Sequence, residues 1–453
     1  MKLPEEYTRR IQALPGMDLE EYRKALETAP PVSIRLNPEK IRTDLRHEKV
    51  SWCSNGYYLP ERPVFTFDPV FQAGGYYVQE ASSMFISHVL EQVTERGKDY
   101  KALDLCAAPG GKSTLLVSAL SPGSLVVANE VIKSRVMVLR ENLEKWGYPN
   151  TIVTNNDPKD FERLESYFDI MVVDAPCSGE GLFRKEPEAV KEWSEANVQL
   201  CSLRQERILD SAIQALKPGG ILIYSTCTHE VSENEDQAER LCKQGFEEIK
   251  VSIPVNSGIE QSSYGYRFYP HKVKGEGFYC AVLKKITGNE PAAPKIKRPA
   301  YTASKKSKEA IDGLLRFSES FAAIEARDSI YFFPAGHLES LSVLAESLNI
   351  YSFGTEAGQL IKGELIPSQA LAHSISLVPV AFEHIELGID DAIRFLRKDP
   401  VTDPSGIKGW KLATFNGLGL GFLKNLGNRT NNYFPKERRI LRQPASSEVW
   451  SLI

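Results

Sequence analysis

Apolar and polar residues alternate differently in different parts of the chain. Up to residue 75 the pattern is mixed. A helical period covers 17–29 and an extended run covers 32–36, with Pro30 and Pro31 separating them. Residues 57–72 are rich in aromatics and proline and read as hairpin or loop. From 76 onward helical and extended periods take turns. Helices are predicted over 78–93, 112–120, 134–146, 203–216 and 235–243, and strands over 101–105, 124–128, 151–154, 168–173 and 221–224. The run FDIMVV at 168–173 is almost wholly apolar, as expected of a strand covered on both faces of a parallel sheet. Segments 246–252 and 277–284 are predicted to close the unit as an antiparallel pair. Alternating strands and helices with right-handed crossovers give an α/β, doubly wound, Rossmann-like layered sheet over 76–285. A small α+β region precedes it over 1–75.

Residues 286–309 hold three prolines and five lysines, and read as a linker. A helix is predicted over 308–320, within a helical and mixed α/β region at 310–390, and short strands over 329–333, 359–361 and 365–366. The glycine-punctuated stretch in 391–453 completes a mixed, mostly β module.

Ligands on a doubly wound sheet sit outside the carboxyl ends of the strands. Cys106, Glu130, Asp157, Asp174, Cys177 and Cys227 all fall at or just beyond those ends. DLCAAPGGKST (104–114) ends a strand and opens a helix, so its backbone amides suit an anionic or strongly polar group. It is not a phosphate loop, because Cys106 stands where the first glycine belongs, and no GxGxxG is present. A different cofactor loop remains, compatible with S-adenosylmethionine. Glu130 is placed to accept from ribose hydroxyls, and Asp157 from the adenine amino group; an N-cap is the bland alternative for each. Cys177 in DAPCSGEG and Cys227 in STCTHEVSENE follow adjacent strands and so share a rim. A thiolate beside a methyl donor suggests addition to C6 of cytosine, which makes C5 nucleophilic toward the methyl group. Asp174 is placed to hold N3. With no CxxC and no partners for His229, no metal is expected.

DLCAAPGGKST, DAPCSGEGLFRKEP and YSTCTHEVSENE, in that order, resemble the NOL1/NOP2/Sun family of RNA cytosine-5 methyltransferases, and SIRLNP (33–38) and YYVQEASSM (76–84) extend the likeness. Within the family, the chain is most similar to bacterial enzymes that modify 16S ribosomal RNA near the decoding site and carry a C-terminal region. The resemblance implies that Cys227 is the nucleophile, that Cys177 assists release of the methylated base, and that Asp174 contacts the cytosine. It also implies that Cys106, Ala107, Ala108, Pro109, Gly110, Gly111, Lys112, Glu130, Arg135, Asp157 and Asp174 hold S-adenosylmethionine. Lys112 would reach the cofactor carboxylate or fix the loop. The N-terminal region would bind RNA, and the C-terminal module would be similar to a PUA domain. Arg35 is a candidate RNA contact with a structural ion pair as its equal alternative, and Arg184 and Lys185, beside the active turn, are better placed for phosphate. The proton acceptor at C5 is left unassigned.

Charge and composition change this picture little. The 453 residues carry 55 basic and 59 acidic side chains, for a formal charge of -4, which excludes a histone-like protein but no nucleic-acid partner. The balance hides blocks of +6 over 284–316, -8 over 317–390 and +6 over 391–453, so the expected RNA path uses the two basic blocks. Seven cysteines without close pairs fit a reducing, cytoplasmic setting. No signal-peptide pattern or long apolar run is seen, and a monomer without membrane contact is expected. Two other functions compete: a ribosome-assembly RNA-binding protein with a vestigial methyltransferase core, and a small-molecule or protein methyltransferase. The first leaves two intact cysteines without a purpose, and the second leaves both the cysteines and the flanking domains idle.

Overall fold

The computed structural model describes residues 2–288, 301–302 and 304–453. Most of the expected linker at 286–309 lies outside the described residues. At the N-terminus, β1 (Val32–Leu36), β2 (Gly56–Leu59) and β3 (Tyr76–Val78) form an antiparallel sheet with β1 in the middle. The predicted helix over 78–93 is shorter than expected. Val78 pairs with Ile34 of β1, a turn follows, and the helix starts at Phe85. Pairing with β1 takes the first residues out of the helical period.

The core is a parallel array of β4 (Lys101–Asp104), β5 (Leu125–Asn129), β6 (Thr151–Thr154), β7 (Phe168–Asp174) and β8 (Leu216–Thr226) in the spatial order β6-β5-β4-β7-β8. β5 and β6 are buried throughout, and β7 nearly so. The apolar runs therefore mark strands covered on both faces. Next come β9 (Phe246–Glu248), β10 (Glu260–Gln261), β11 (Tyr266–Phe268) and β12 (Phe278–Lys285). β12 runs antiparallel to β8 and to the short β9, as the terminal pair in the sequence suggests. Strand order reverses between β4 and β7, which opens a crevice at their carboxyl ends.

The C-terminal half holds two four-stranded sheets: β13 (Phe321–Ala326), β14 (Ser329–Pro334), β16 (Thr355–Ile361) and β17 (Glu364–Pro367), then β18 (Glu383–Glu386), β19 (Gly409–Phe415), β20 (Leu418–Asn425) and β21 (Thr430–Asn432). The helix expected over 308–320 spans only Lys305–Ile311, because Gly313 at φ +80° turns the chain. Neither half stands apart from the rest. β15 (Ile350–Phe353) crosses over to pair antiparallel with β6 at the edge of the core sheet. Ile34, Leu36, Phe67 and Val70 of the N-terminal domain share one apolar cluster with Phe395, Leu396, Ala413 and Leu423. Asp68 joins the same seam: its carboxylate accepts from the Tyr76 hydroxyl (2.7 Å) and from the Leu452 amide (3.2 Å).

Phe353 is 4% exposed, and its ring lies 5.1 Å from that of Tyr331 and 4.7 Å from that of Tyr301. Phe353→Ala removes the packing that seats β15. It is expected to cost about 3–5 kcal/mol in denaturant unfolding and to open the C-terminal half to limited proteolysis before the core unfolds.

Candidate functional site

The loop after β4 is held from three directions. Gly110 adopts φ +114°, which favours glycine, and starts the helix Gly111–Ala119. The Arg135 guanidinium donates to the carbonyl of Ala108 (2.7 Å), and the Asn142 amide donates to that of Pro109 (2.8 Å). Beneath the loop, Asn129 ties three strand ends together. Its amide donates to the carbonyls of Leu105 (3.1 Å) and Asn156 (3.0 Å), while its oxygen accepts from the Thr154 hydroxyl (2.9 Å) and the Asn156 amide (3.1 Å).

Above the loop is an open cavity of about 170 Å³. Cys106, Ala107, Ala108, Pro109, Gly111, Lys112 and Asp174 form one wall, and Tyr77, Val78, Gln79, Glu80 and Ser83 form the other. Lys112 Nζ stands 2.7 Å from Asp174 Oδ2, and Asp174 Oδ1 accepts from the Ser225 hydroxyl (2.8 Å). Burial opposes the Lys112 charge, but the carboxylates of Asp174 and Asp104 outweigh it and raise the pKa above the usual value. Asp104 is wholly buried under the loop, and burial pushes its carboxyl up to about 7. Its Oδ2 accepts from the Ser113 hydroxyl (2.6 Å), whereas Oδ1 has no partner among the described residues.

Glu130 and Asp157 sit further along the strand ends, outside the lining of this cavity. Glu130 is buried. One of its oxygens accepts from the Ile132 amide (2.9 Å) and the other lies 3.3 Å from Arg135 Nη1. Asp157 caps the turn Pro158–Arg163 through the Lys159 amide (3.1 Å) and faces Arg207 (3.4 Å).

Cys177 and Cys227 meet on the same rim, with their sulfurs 3.2 Å apart. Glycine makes that approach possible. The Gly181 amide donates to the carbonyl of Cys227 (2.8 Å), and a Cβ there would fall 2.7 Å from that oxygen and 2.4 Å from the carbonyl of Gly277. The hydrogen bond to Cys227, burial, and the nearby Glu233 and Glu180 together hold the Cys177 thiol well above the usual thiol range. Cys177 therefore carries its proton at neutral pH. Burial likewise pushes Cys106 up and leaves it an inert thiol.

Two of the expected RNA contacts are corrected by burial. Arg35 is 3% exposed and spends its donors inside the protein, on Gln79 Oε1 (2.8 Å), the Thr114 hydroxyl (2.6 Å) and the Gly111 carbonyl (3.2 Å). Arg184 is also buried, paired with Glu276 (3.0 Å) and bonded to the Gly275 carbonyl (2.6 Å). Buried in this way, neither guanidinium is presented at the surface to a phosphate. Lys185, next along the chain, is exposed. Tyr77, Gln79, Glu80 and Ser83 line the site without being among the residues expected there, although the polar and aromatic motif YYVQEASSM contains all four.

Known proteins resemble this chain along most of its length. The family description "16S rRNA methyltransferase RsmB/F" matches residues 92–284, the N-terminal domain of 16S rRNA methyltransferase RsmF matches 3–81, and the methyltransferase RsmF PUA domain matches 382–440. Ribosomal RNA small subunit methyltransferase F of Shewanella piezotolerans is 32% identical over 438 residues, covering 89% of this chain and 90% of the relative. The protein of the same name from Vibrio parahaemolyticus is 30% identical and covers 96% and 97%. Among solved structures, a methyltransferase homolog from Pyrococcus horikoshii superposes with a TM-score of 0.52 at 27% identity, covering 62% of this chain and 95% of its own. NSun6 from the same organism, solved with SFG, gives 0.53 at 21% identity, covers 63% and 99%, and shares the fold. Three family matches along the chain and a relative 32% identical over 89% of it show that this chain belongs to the RsmF group of the NOL1/NOP2/Sun family of 16S rRNA cytosine-5 methyltransferases, with the PUA domain of that group.

Proposed function

We propose that this protein methylates C5 of a cytosine in 16S ribosomal RNA near the decoding site, with Cys227 as the nucleophile that adds to C6. The observation that carries this reading is the thiol pair at 3.2 Å, in which Cys177 retains its proton. A sulfur that keeps its proton is the poorer nucleophile and the better hydrogen-bond donor. The family resemblance divides the roles: Cys227 attacks, and Cys177 supports its departure once the base is methylated. The sulfur–C6 bond forms as the ring electrons shift toward C5. It breaks after the C5 proton has left, which restores the aromatic ring. Asp174, about one-third exposed, lines the cofactor cavity and would hold the cytosine ring nitrogen. The target base must leave its stack to meet these groups.

S-adenosylmethionine supplies an electrophilic methyl group when bound. The residues present suit it. The Lys112 ammonium and the amides of the loop from Cys106 to Gly111 favour its carboxylate, while the Asp174 carboxylate favours its ammonium. The unpaired Asp104 Oδ1 leaves acceptor capacity below the loop. Glu130, Arg135 and Asp157 would receive the adenosine side, where Val131 and Ile132 are about half exposed. Lys185 and the basic segments flanking the core would follow the RNA backbone. The reading includes action as a monomer in the cytoplasm.

Two outcomes follow from these roles. With 16S rRNA and S-adenosylmethionine, Cys227→Ala is expected to abolish methyl transfer, and Cys177→Ala to accumulate a protein–RNA adduct that survives denaturing electrophoresis. An adduct with Cys227→Ala and none with Cys177→Ala would reverse the assignment. Lys112→Gln removes a charged hydrogen bond, worth about 1.5–3 kcal/mol. Calorimetric titration should therefore show cofactor binding weakened by about 10-fold or more, and unchanged affinity would remove Lys112 from the cofactor site.

A further inference from the structure

Behind the thiols lies a cluster of buried acids that the transfer scheme leaves unused. Glu233 is fully buried on the turn Val231–Glu233, a few residues past Cys227. Its carboxyl accepts from the Ser178 amide (3.1 Å) and from Gln205 Nε2 (2.9 Å), and it contacts the Ser178 hydroxyl. Gln205 Nε2 also donates to the carbonyl of Pro176 (3.0 Å). Both residues flanking Cys177 are therefore tied to one carboxyl–amide pair.

The hydrogen count at Ser178 adds a second constraint. Its oxygen lies against Glu233 Oε1, Glu180 Oε1 (2.7 Å) and the Thr228 hydroxyl (3.1 Å). Glu180 Oε1 already accepts from Trp193 Nε1 (2.5 Å). A hydroxyl donates a single hydrogen, so it cannot satisfy two ionised carboxylates. One of the two carboxyls must bring its own proton, and the cluster holds that proton between them.

We propose that Glu233 is a positioning residue for Cys177: through the proton it shares with Ser178 and Glu180, it clamps the turn 176–179 so that the Cys177 sulfur stays against Cys227 and can support release of the methylated base. This rests on the roles given above to the two cysteines. Burial supports it by pushing the Glu233 carboxyl up to about 8, while the bonds from Ser178 and Gln205 pull the other way. The groups facing Glu233 are Glu180, Cys177, Cys201 and Tyr224, and Glu230 faces Glu180 in turn. A carboxyl with a raised pKa holds the clamp best at low pH and loses that contribution as pH rises through about 8. Above that point two carboxylates crowd one hydroxyl, and the turn loosens.

The test is single-turnover methylation of 16S rRNA on both sides of about pH 8, reading product release and denaturation-resistant adduct together. In the parent protein, release is expected to slow by up to roughly tenfold per pH unit on the alkaline side, with adduct accumulating. Glu233→Gln cannot ionise, yet it keeps an acceptor for the Ser178 amide and a donor for the hydroxyl, so its release should lose the alkaline limb. Glu233→Ala should accumulate adduct at every pH, as Cys177→Ala does, with cofactor affinity and the KM for RNA unchanged. An alkaline limb that persists in Glu233→Gln overturns the proposal, as does a folded Glu233→Ala that releases product like the parent. If Glu233→Ala does not fold, the Glu233→Gln profile decides alone. An adduct in Cys177→Ala but none in Glu233→Ala defeats this inference only, whereas no adduct in Cys177→Ala defeats the cysteine roles themselves.

Discussion

Arg35 carries a positive charge into a region closed to water, and such a charge is tolerated only when its donors are met. Gln79, the Thr114 hydroxyl and the Gly111 carbonyl meet them, and the guanidinium stacks 4.7 Å over the ring of Trp146. Burial lowers its pKa to about 10, so it stays cationic at neutral pH. These partners belong to three different parts of the chain: the segment after β3, the cofactor-loop helix, and the end of the helix Lys133–Trp146. None of them can shift without leaving a buried donor unpaired. The N-terminal domain is thereby fixed against the loop, and Tyr77 to Glu80 become a wall of the cavity.

With that wall in place, the rest of the site follows from where parallel strands end. The crevice opens where strand order reverses between β4 and β7, and Asn129 keeps the ends of β4, β5 and β6 level beneath it. The rim beside it needs close backbone contact, which Gly181 provides against the carbonyl of Cys227. Two thiols at this distance would be a liability if both ionised. The hydrogen bond between them and burial, with the acids behind adding to both, prevent that by keeping Cys177 neutral.

The core and its strand-end residues were readable because each rests on local pattern. Continuous apolar runs marked β5 to β8, and the crevice rule then pointed to Cys106, Asp174, Cys177 and Cys227. Arg35 and Arg184 were misread for the opposite reason. A sequence shows the charge of a side chain but not that Glu276 reaches Arg184 from 92 positions away, or that Thr114 reaches Arg35 from 79. Tyr77 to Ser83 escape notice because a helical period over 78–93 makes them look like an ordinary helix start. The segment 78–93 was read as one helix because its apolar residues fit that period, and only pairing between β1 and β3 takes Val78 away. β15 had no local signature at all: four residues become part of the core sheet only by meeting β6, far earlier in the chain.

That last pairing has a consequence for how the protein is made. Translation proceeds from the N-terminus, so β4 to β8 can assemble while the residues of β15 are still to be added. Until they emerge, β6 presents a bare row of backbone donors and acceptors, which is a template for pairing with another nascent chain. The methyltransferase core is thus complete in sequence well before it is closed in space, and the C-terminal half supplies the strand that covers its edge.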